Sequence, residues 1–402
     1  MNYFPIPISL LEIGMPLPVD VWSGNGTLLL RKGQPVVSEA HRDKLHAHQA
    51  SSTLPDAMAW QRSYERMVHA LLRDGVDLQT IAQARMPSEI RQSDYVVGQQ
   101  LSGGWLDLQE VLRGILYQGG LAINPLERLA GIEHKALALL QADTDDSLFC
   151  LFQALADDTL GYSATHALLC TVACYLTAEK LGLSALQRQP LVRAALTMNI
   201  GMAREQDSLA RQAGAPTEWQ RTLIQSHAQK SVEILQGLGV DDVEQLDLVR
   251  WHHDAHAPDA LPQTQDSRRV LTLADAFIAK MAARKTRAPL SPVKAVRAMV
   301  LNAKDDSLGA GSAMAQAVGF YPPGSYVQLA NGDTAVAVQR GARANAPWVI
   351  SIVNQEGVAI ARYQAVDTSN PEHAIAQAVN FKTVKVRVDG DKVRKARRAI
   401  AP

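Results

Sequence analysis

The chain has 402 residues, of which 47% are apolar, and its 40 basic and 40 acidic side chains cancel. That length suits two or three domains with sizeable cores. The zero net charge gives no electrostatic reason to bind a nucleic-acid polymer or an anionic membrane.

The first stretch, MNYFPIPISLLEIGMPLP, lacks a basic segment followed by an apolar run and a small-residue cleavage site. No signal peptide is expected. No run of 18 apolar residues is present to form a membrane span, and the expected compartment is the cytoplasm. Residues 16–37 predict a small β unit: Val19 and Val21 alternate with polar residues, SGNG turns the chain and TLLL returns it. From Ser38 to about Leu45 the pattern is helical. Residues 50–58 read as a linker, and a helix is expected over 59–74.

Residues 105–316 are almost wholly helical in pattern. The apolar period predicts helices at 105–118, 126–141, 146–158, 163–181, 187–202, 217–237, 242–253, 268–284 and 291–302, punctuated by Gly182, Gly214, Gly237, Gly239 and Pro289. A β hairpin follows, with Asn331-Gly332 as the turn between alternating apolar runs. From Lys382 onward, eight Lys or Arg residues stand against Asp389 and Asp391. This basic tail reads as a solvated end or as a contact to phosphate or a partner. The expected division is therefore 1–95, 96–316, 317–365 and 366–402. No internal repeat is visible.

The three cysteines, Cys150, Cys170 and Cys174, are too few for a disulfide framework. Cys170 and Cys174 lie four apart on one helical face and read as core, because a zinc site would need further ligands. Four positions in the helical region stand out: His166, His227, the pair His252-His253, and Asp275. Imidazole and carboxylate suit divalent metals such as iron, manganese and zinc. Taken singly, each reads as a hydrogen-bonded core residue. Their order and spacing point to more.

The chain resembles the HD-GYP family of helical, metal-dependent phosphodiesterases that act on cyclic di-GMP. YSATHALLCTVACYLTAEKLGL resembles the family's first ligand helix and places His166 at its metal-binding histidine. LVRAALTMNIGM aligns with the helix that ordinarily ends in His-Asp-Ile-Gly-Lys. HAQKSVEIL puts His227 at the next ligand, VRWHHDAH supplies His252 and His253, and LTLADAFIAKMAARKTR carries Asp275. The last segment also holds Arg284 and Arg287, where the family keeps basic residues for substrate phosphates. GFYPPGSYVQLANGDTAVAV resembles the β extension that follows this domain, and GMPLPVDVWSGNGTLLLRKGQPV a segment often found ahead of it. The resemblance spans most of residues 1–360. It implies a mainly α fold: an HD-type all-helical bundle with a small N-terminal α/β segment and a C-terminal β extension.

The departures are specific. Met198 and Asn199 stand where the family has its metal-binding His-Asp pair, and Met202 where it has lysine. Tyr162 replaces a glutamate that some members use as a further ligand. The Gly-Tyr-Pro signature after the paired histidines is missing, and APDALPQTQ forms a shortened loop. At an effective dielectric of about 20, two divalent ions 4 Å apart repel by roughly 16 kcal/mol. Asn199 removes the bridging charge that offsets this, and the Met198 thioether is a poor match for manganese or ferrous iron. The expectation is at most one Fe or Mn ion, loosely held by some of His166, His227, His252, His253 and Asp275.

Three readings follow. The chain is a degenerate cyclic di-GMP receptor, scaffold or regulatory partner, with Arg284 and Arg287 as phosphate contacts. Alternatively it is a phosphodiesterase with a mononuclear site, or a helical module that binds another protein. A homodimer is compatible with each. TMNIGMA itself continues the apolar spacing of Leu191, Ala195, Met198 and Met202, which reads as packing in place of chemistry.

Overall fold

The computed structural model describes residues 3–74, 76–77, 80, 83–91, 94, 104–122, 124–157, 160–282, 294 and 308–400. The chain divides into two units, residues 1–102 and 103–402. No helix among the described residues is long and apolar enough to cross a membrane.

In the first unit, β1 (Tyr3–Pro5), β2 (Val21–Trp22), β3 (Leu28–Leu30) and β4 (Ser51–Thr53) form an antiparallel sheet in the order β1-β4-β2-β3. Helix α1 (Glu39–Ala47) begins where the Ser38 hydroxyl accepts from the His41 amide, satisfying one of the free donors of the first turn. Helix α2 (Leu54–Arg73) follows β4 directly. Val19, Val21, Val36, Leu45 and Trp60 close a core between sheet and helices. The linker expected over residues 50–58 is instead β4 and the first turn of α2. Ser51, Ser52 and Thr53 show no apolar alternation. They form a strand because Tyr3–Pro5 and Trp22 supply backbone partners on both sides, a tertiary effect that overrides local pattern.

The second unit is mainly helical. Its helices are α3 (Trp105–Gln118), α4 (Pro125–Ala142), α5 (Thr144–Ala156), α6 (Tyr162–Lys180), α7 (Ala185–Thr197), α8 (Ala203–Arg211), α9 (Glu218–Gly237), α10 (Val243–Trp251), α11 (Gln265–Met281) and α12 (Ala310–Val318). Capping boxes at Ser184/Gln187 and Thr217/Gln220 start α7 and α9. Helix α6 is apolar on nearly every side: 15 of its 19 residues are buried. Such a helix belongs inside a bundle, and α3, α5, α7, α8, α11 and α12 all pack on it. The helix expected over 187–202 ends at Thr197. Residues 198–202 form a turn, with Ile200 N donating to Thr197 O and Met202 N to Asn199 O. Apart from Lys294, the predicted helix at 291–302 lies outside the described residues.

A buried carboxylate fixes the start of α6. Asp207, 1% exposed, accepts from the Ser163 amide at the first turn and from the Tyr117 hydroxyl of α3, and Arg113 lies 3.8 Å away. Burial and then the neighbouring carboxylate push the Tyr117 phenol up to about 12. An unfolded tyrosine titrates near pH 10. The neutral phenol therefore contributes its full stability below about pH 10, and that contribution is lost as pH rises toward about 12. Tyr117→Phe is expected to lower stability at pH 8 yet flatten the decline between about pH 10 and 12, followed as urea midpoints. An unchanged alkaline slope would mean that Tyr117 does not titrate this contact.

The C-terminal part of this unit is a five-stranded antiparallel sheet made of β5 (Tyr326–Leu329), β6 (Thr334–Gln339), β7 (Trp348–Val353), β8 (Ala365–Asp367) and β9 (Ile375–Val379), in the order β8-β7-β6-β5-β9. The Asn331-Gly332 turn joins β5 to β6 as the sequence predicts. Residues 366–402, read from the sequence as a basic tail, supply most of β8, all of β9 and a last helix, α13 (Gly390–Arg397). Val393 and Ala396 of α13 bury with Val336, Ile350 and Phe149 of α5. Its basic face is paired: Arg397 reaches Asp143 at 2.8 Å and Asp146 at 3.6 Å. Part of the positive charge therefore ties the sheet to α5.

Candidate metal centre

Four helices bring the singled-out residues together. His166 comes from near the start of α6, His227 from the middle of α9 and Asp275 from α11. His252 and His253 follow the last residue of α10, Trp251, where the chain leaves the helix. The histidines fall into two adjoining groups, His227/His252/His253 and His166/Cys170/Asp275, and in each the donor atoms lie within 4.8 Å of one another.

Hydrogen bonding fixes how the first group points. His227 Nδ1 lies 2.6 Å from the carbonyl of Ile224, and His252 Nδ1 lies 2.7 Å from that of Val249. A carbonyl only accepts, so both Nδ1 atoms carry the proton and both Nε2 atoms present a lone pair. His253 Nδ1 faces Asp275 Oδ2 at 3.5 Å, which favours the same tautomer. The three Nε2 atoms then meet: His227 to His252 at 3.2 Å, and His227 to His253 at 3.3 Å. Burial lowers the proton affinity of His227, against the support of the Ile224 carbonyl. Burial, and then His253, lowers that of His252 to about 3. Both rings are neutral at pH 7. Converging lone pairs repel one another unless a cation lies among them. Nitrogens bound at about 2.0–2.1 Å and separated by 90–110° stand about 2.9–3.4 Å apart, so the donor set fits a divalent ion. The outer hydrogen bonds that would keep such imidazoles oriented come from carbonyls three residues back in the chain.

In the second group, His166 is wholly buried, and its Nε2 lies 2.9 Å from Asp275 Oδ1. Its Nδ1 is 3.0 Å from the Tyr162 hydroxyl, one helical turn back. Burial alone would raise the Asp275 carboxyl. The hydrogen bond from His166 and the imidazoles around it outweigh burial and hold it well below the usual carboxylate range. Asp275 is thus an anion shared between the groups, one oxygen toward each.

All five predicted ligands, His166, His227, His252, His253 and Asp275, are brought together. Arg284 and Arg287 lie outside the described residues. Met198, Asn199 and Met202 are buried. The Asn199 Nδ2 is buried without a hydrogen-bond partner among the described residues. The turn that carries these residues is pressed against α9. Gly201 N donates to Ser231 Oγ at 3.0 Å, and a Cβ on Gly201 would lie 2.8 Å from the carbonyl oxygen of His227. The sequence reading missed Cys170, whose Sγ lies 3.4 Å from His166 Nε2. The signal was present: residues i and i+4 of one helix share a face, as paired ligands on a helix do.

No protein-family model matches the chain, and no curated protein is similar to it. Among solved structures, Bd1817, an HDG"Y"P protein from Bdellovibrio bacteriovorus, is similar at 16% identity over 78% of this chain and 98% of that one, with a TM-score of 0.38.

Proposed function

We propose that the chain is a degenerate HD-GYP-type signalling protein that binds cyclic di-GMP without hydrolysing it, and acts as a receptor, scaffold or regulatory partner. The observation that carries this reading is the meeting of three Nε2 lone pairs from His227, His252 and His253 beside the shared carboxylate of Asp275. That donor set suits one iron or manganese ion. When bound, a divalent ion there supplies Lewis acidity and an anchor for phosphate oxygens. The chain's own residues do the rest. The carbonyls of Ile224 and Val249 hold two rings in place, and His253, 54% exposed at its side chain, opens the cluster to solvent.

Loss of turnover is supported by the buried thioether of Met198 and the neutral amide of Asn199, where the resembled family has a histidine and a bridging carboxylate. Titration calorimetry tests the ligand. Manganese-loaded protein is expected to give a saturable heat with cyclic di-GMP. No heat would sink the nucleotide reading and leave a protein partner as the ligand. The retained ligands favour one second reading, a mononuclear phosphodiesterase, which a hydrolysis assay decides.

A further inference from the structure

Cys170 is a buried nucleophile that the reading above leaves unused. We propose that Cys170, as a thiolate, joins His166 and Asp275 in a second pole of the centre, and that this pole takes a zinc-class divalent ion. The proposal rests on the reading that the histidines and Asp275 hold metal.

The geometry is direct. Cys170 Sγ, His166 Nε2 and one Asp275 oxygen are mutually within 4.8 Å. The sulfur lies 3.4 Å from Nε2, and Nε2 lies 2.9 Å from Oδ1. Bonds of about 2.0–2.3 Å at tetrahedral angles place neighbouring N, S and O donors about 3.4–3.6 Å apart. The two separations from His166 Nε2 are therefore already within about half an ångström of that spacing, and the sulfur and the carboxylate oxygen are within 4.8 Å of each other. Sulfur, nitrogen and oxygen together are a zinc-type donor set, and thiolate sulfur disfavours manganese.

Protons balance without any redox change. A cysteine without a metal or a cationic neighbour carries its proton at neutral pH. When the ion enters, the thiol proton leaves to solvent as the sulfur–metal bond forms. The His166 proton moves from Nε2 to Nδ1, where the Tyr162 hydroxyl accepts it. Tyr162 serves both tautomers, donating to a bare Nδ1 or accepting from a protonated one. The thiolate also answers a charge deficit. Asp275 is the only anion among the ligands predicted from sequence, and Asn199 contributes none. A second anion at Cys170 offsets the repulsion that otherwise limits the centre to one ion.

The test uses the full chain, stripped of metal and titrated with cobalt(II), a spectroscopic stand-in for zinc, and separately with manganese(II). Two equivalents of cobalt are expected against one of manganese. A thiolate-to-cobalt charge-transfer band is expected in the near-ultraviolet. The band is expected to vanish in Cys170→Ser and to persist in the double variant Cys150→Ser/Cys174→Ser. Because the chain has three cysteines, the double variant assigns the band to Cys170 even where Cys170→Ser fails to fold. Cobalt bound with no thiolate band would overturn the Cys170 pole and leave the histidine centre standing. A band that survives in Cys170→Ser, or disappears in the double variant, would also overturn it. No cobalt or manganese bound at all would overturn both readings.

Discussion

Protein loaded anaerobically with Fe(II) or Mn(II) is expected to leave cyclic di-GMP intact, with any turnover below about 0.01 s⁻¹. That is at least about a thousandfold under the median enzyme turnover of about 10 s⁻¹. A two-ion site stabilises both the attacking and the leaving oxygen of an in-line displacement. Removing one arm of that stabilisation costs several kcal/mol, and each ~1.4 kcal/mol is tenfold in rate. Met198 and Asn199 supply neither the imidazole nor the bridging charge, and both are packed in the core. The measurement is product formation by chromatography, with His253→Ala as the control. Turnover at ordinary enzymatic rates that disappears in His253→Ala would show that the remaining ligands build an active site, and the non-hydrolytic reading would fall.

The second large effect belongs to a glycine. Gly201→Ala is expected to destabilise the second unit by about 1–3 kcal/mol, the usual cost of forcing extra volume into a packed site. Its new methyl would meet the His227 carbonyl at 2.8 Å and the Ser231 amide nitrogen and hydroxyl at 2.9 Å. Two of those three atoms are α9 backbone, which cannot rotate away as a side-chain tip does. Helix α9 must shift, and it carries His227 with it. Manganese affinity is therefore expected to fall by about tenfold or more, since ~1.4 kcal/mol of lost coordination suffices. Urea unfolding and metal titration read the two effects. A Gly201→Ala protein as stable as wild type, with unchanged affinity, would show that this close approach does not position His227.

Much of this was legible in the chain itself, and the exceptions have identifiable causes. Most helices from Trp105 to Met281 follow the apolar period because each buries one face or, for α6, nearly all of it, but α8 (Ala203–Arg211) was not among the predicted elements. The five ligand candidates could be named because their order and spacing resemble the HD-GYP family, and they do meet in space. The strand at Ser51–Thr53 was invisible because its stability lies in partners far along the chain. The end of α7 at Thr197 was missed because apolar spacing runs on through Met198 and Met202, while Gly201 draws the turn against α9. Helix α13 was hidden by composition: its basic residues mask Val393 and Ala396, which are the ones that pack. Cys170 was assigned to the core correctly and to nothing else, because its nearness to Asp275 arises only when α6 and α11 pack together.

Exposure is graded along the metal centre: His253 is half open, Asp275 is mostly covered, and His166 and Cys170 are closed off entirely. The centre therefore has a direction. An ion entering such a centre would meet His253 first and α6 last. Helix α6 lies among six packed helices, so its inner face is exposed only when a large part of the bundle opens. The residence time of an ion at His166 would then be governed by how often that opening occurs, and not by bond strength alone. An ion held at this depth would behave kinetically as part of the fold, while one at the His253 end would exchange with the solution around it.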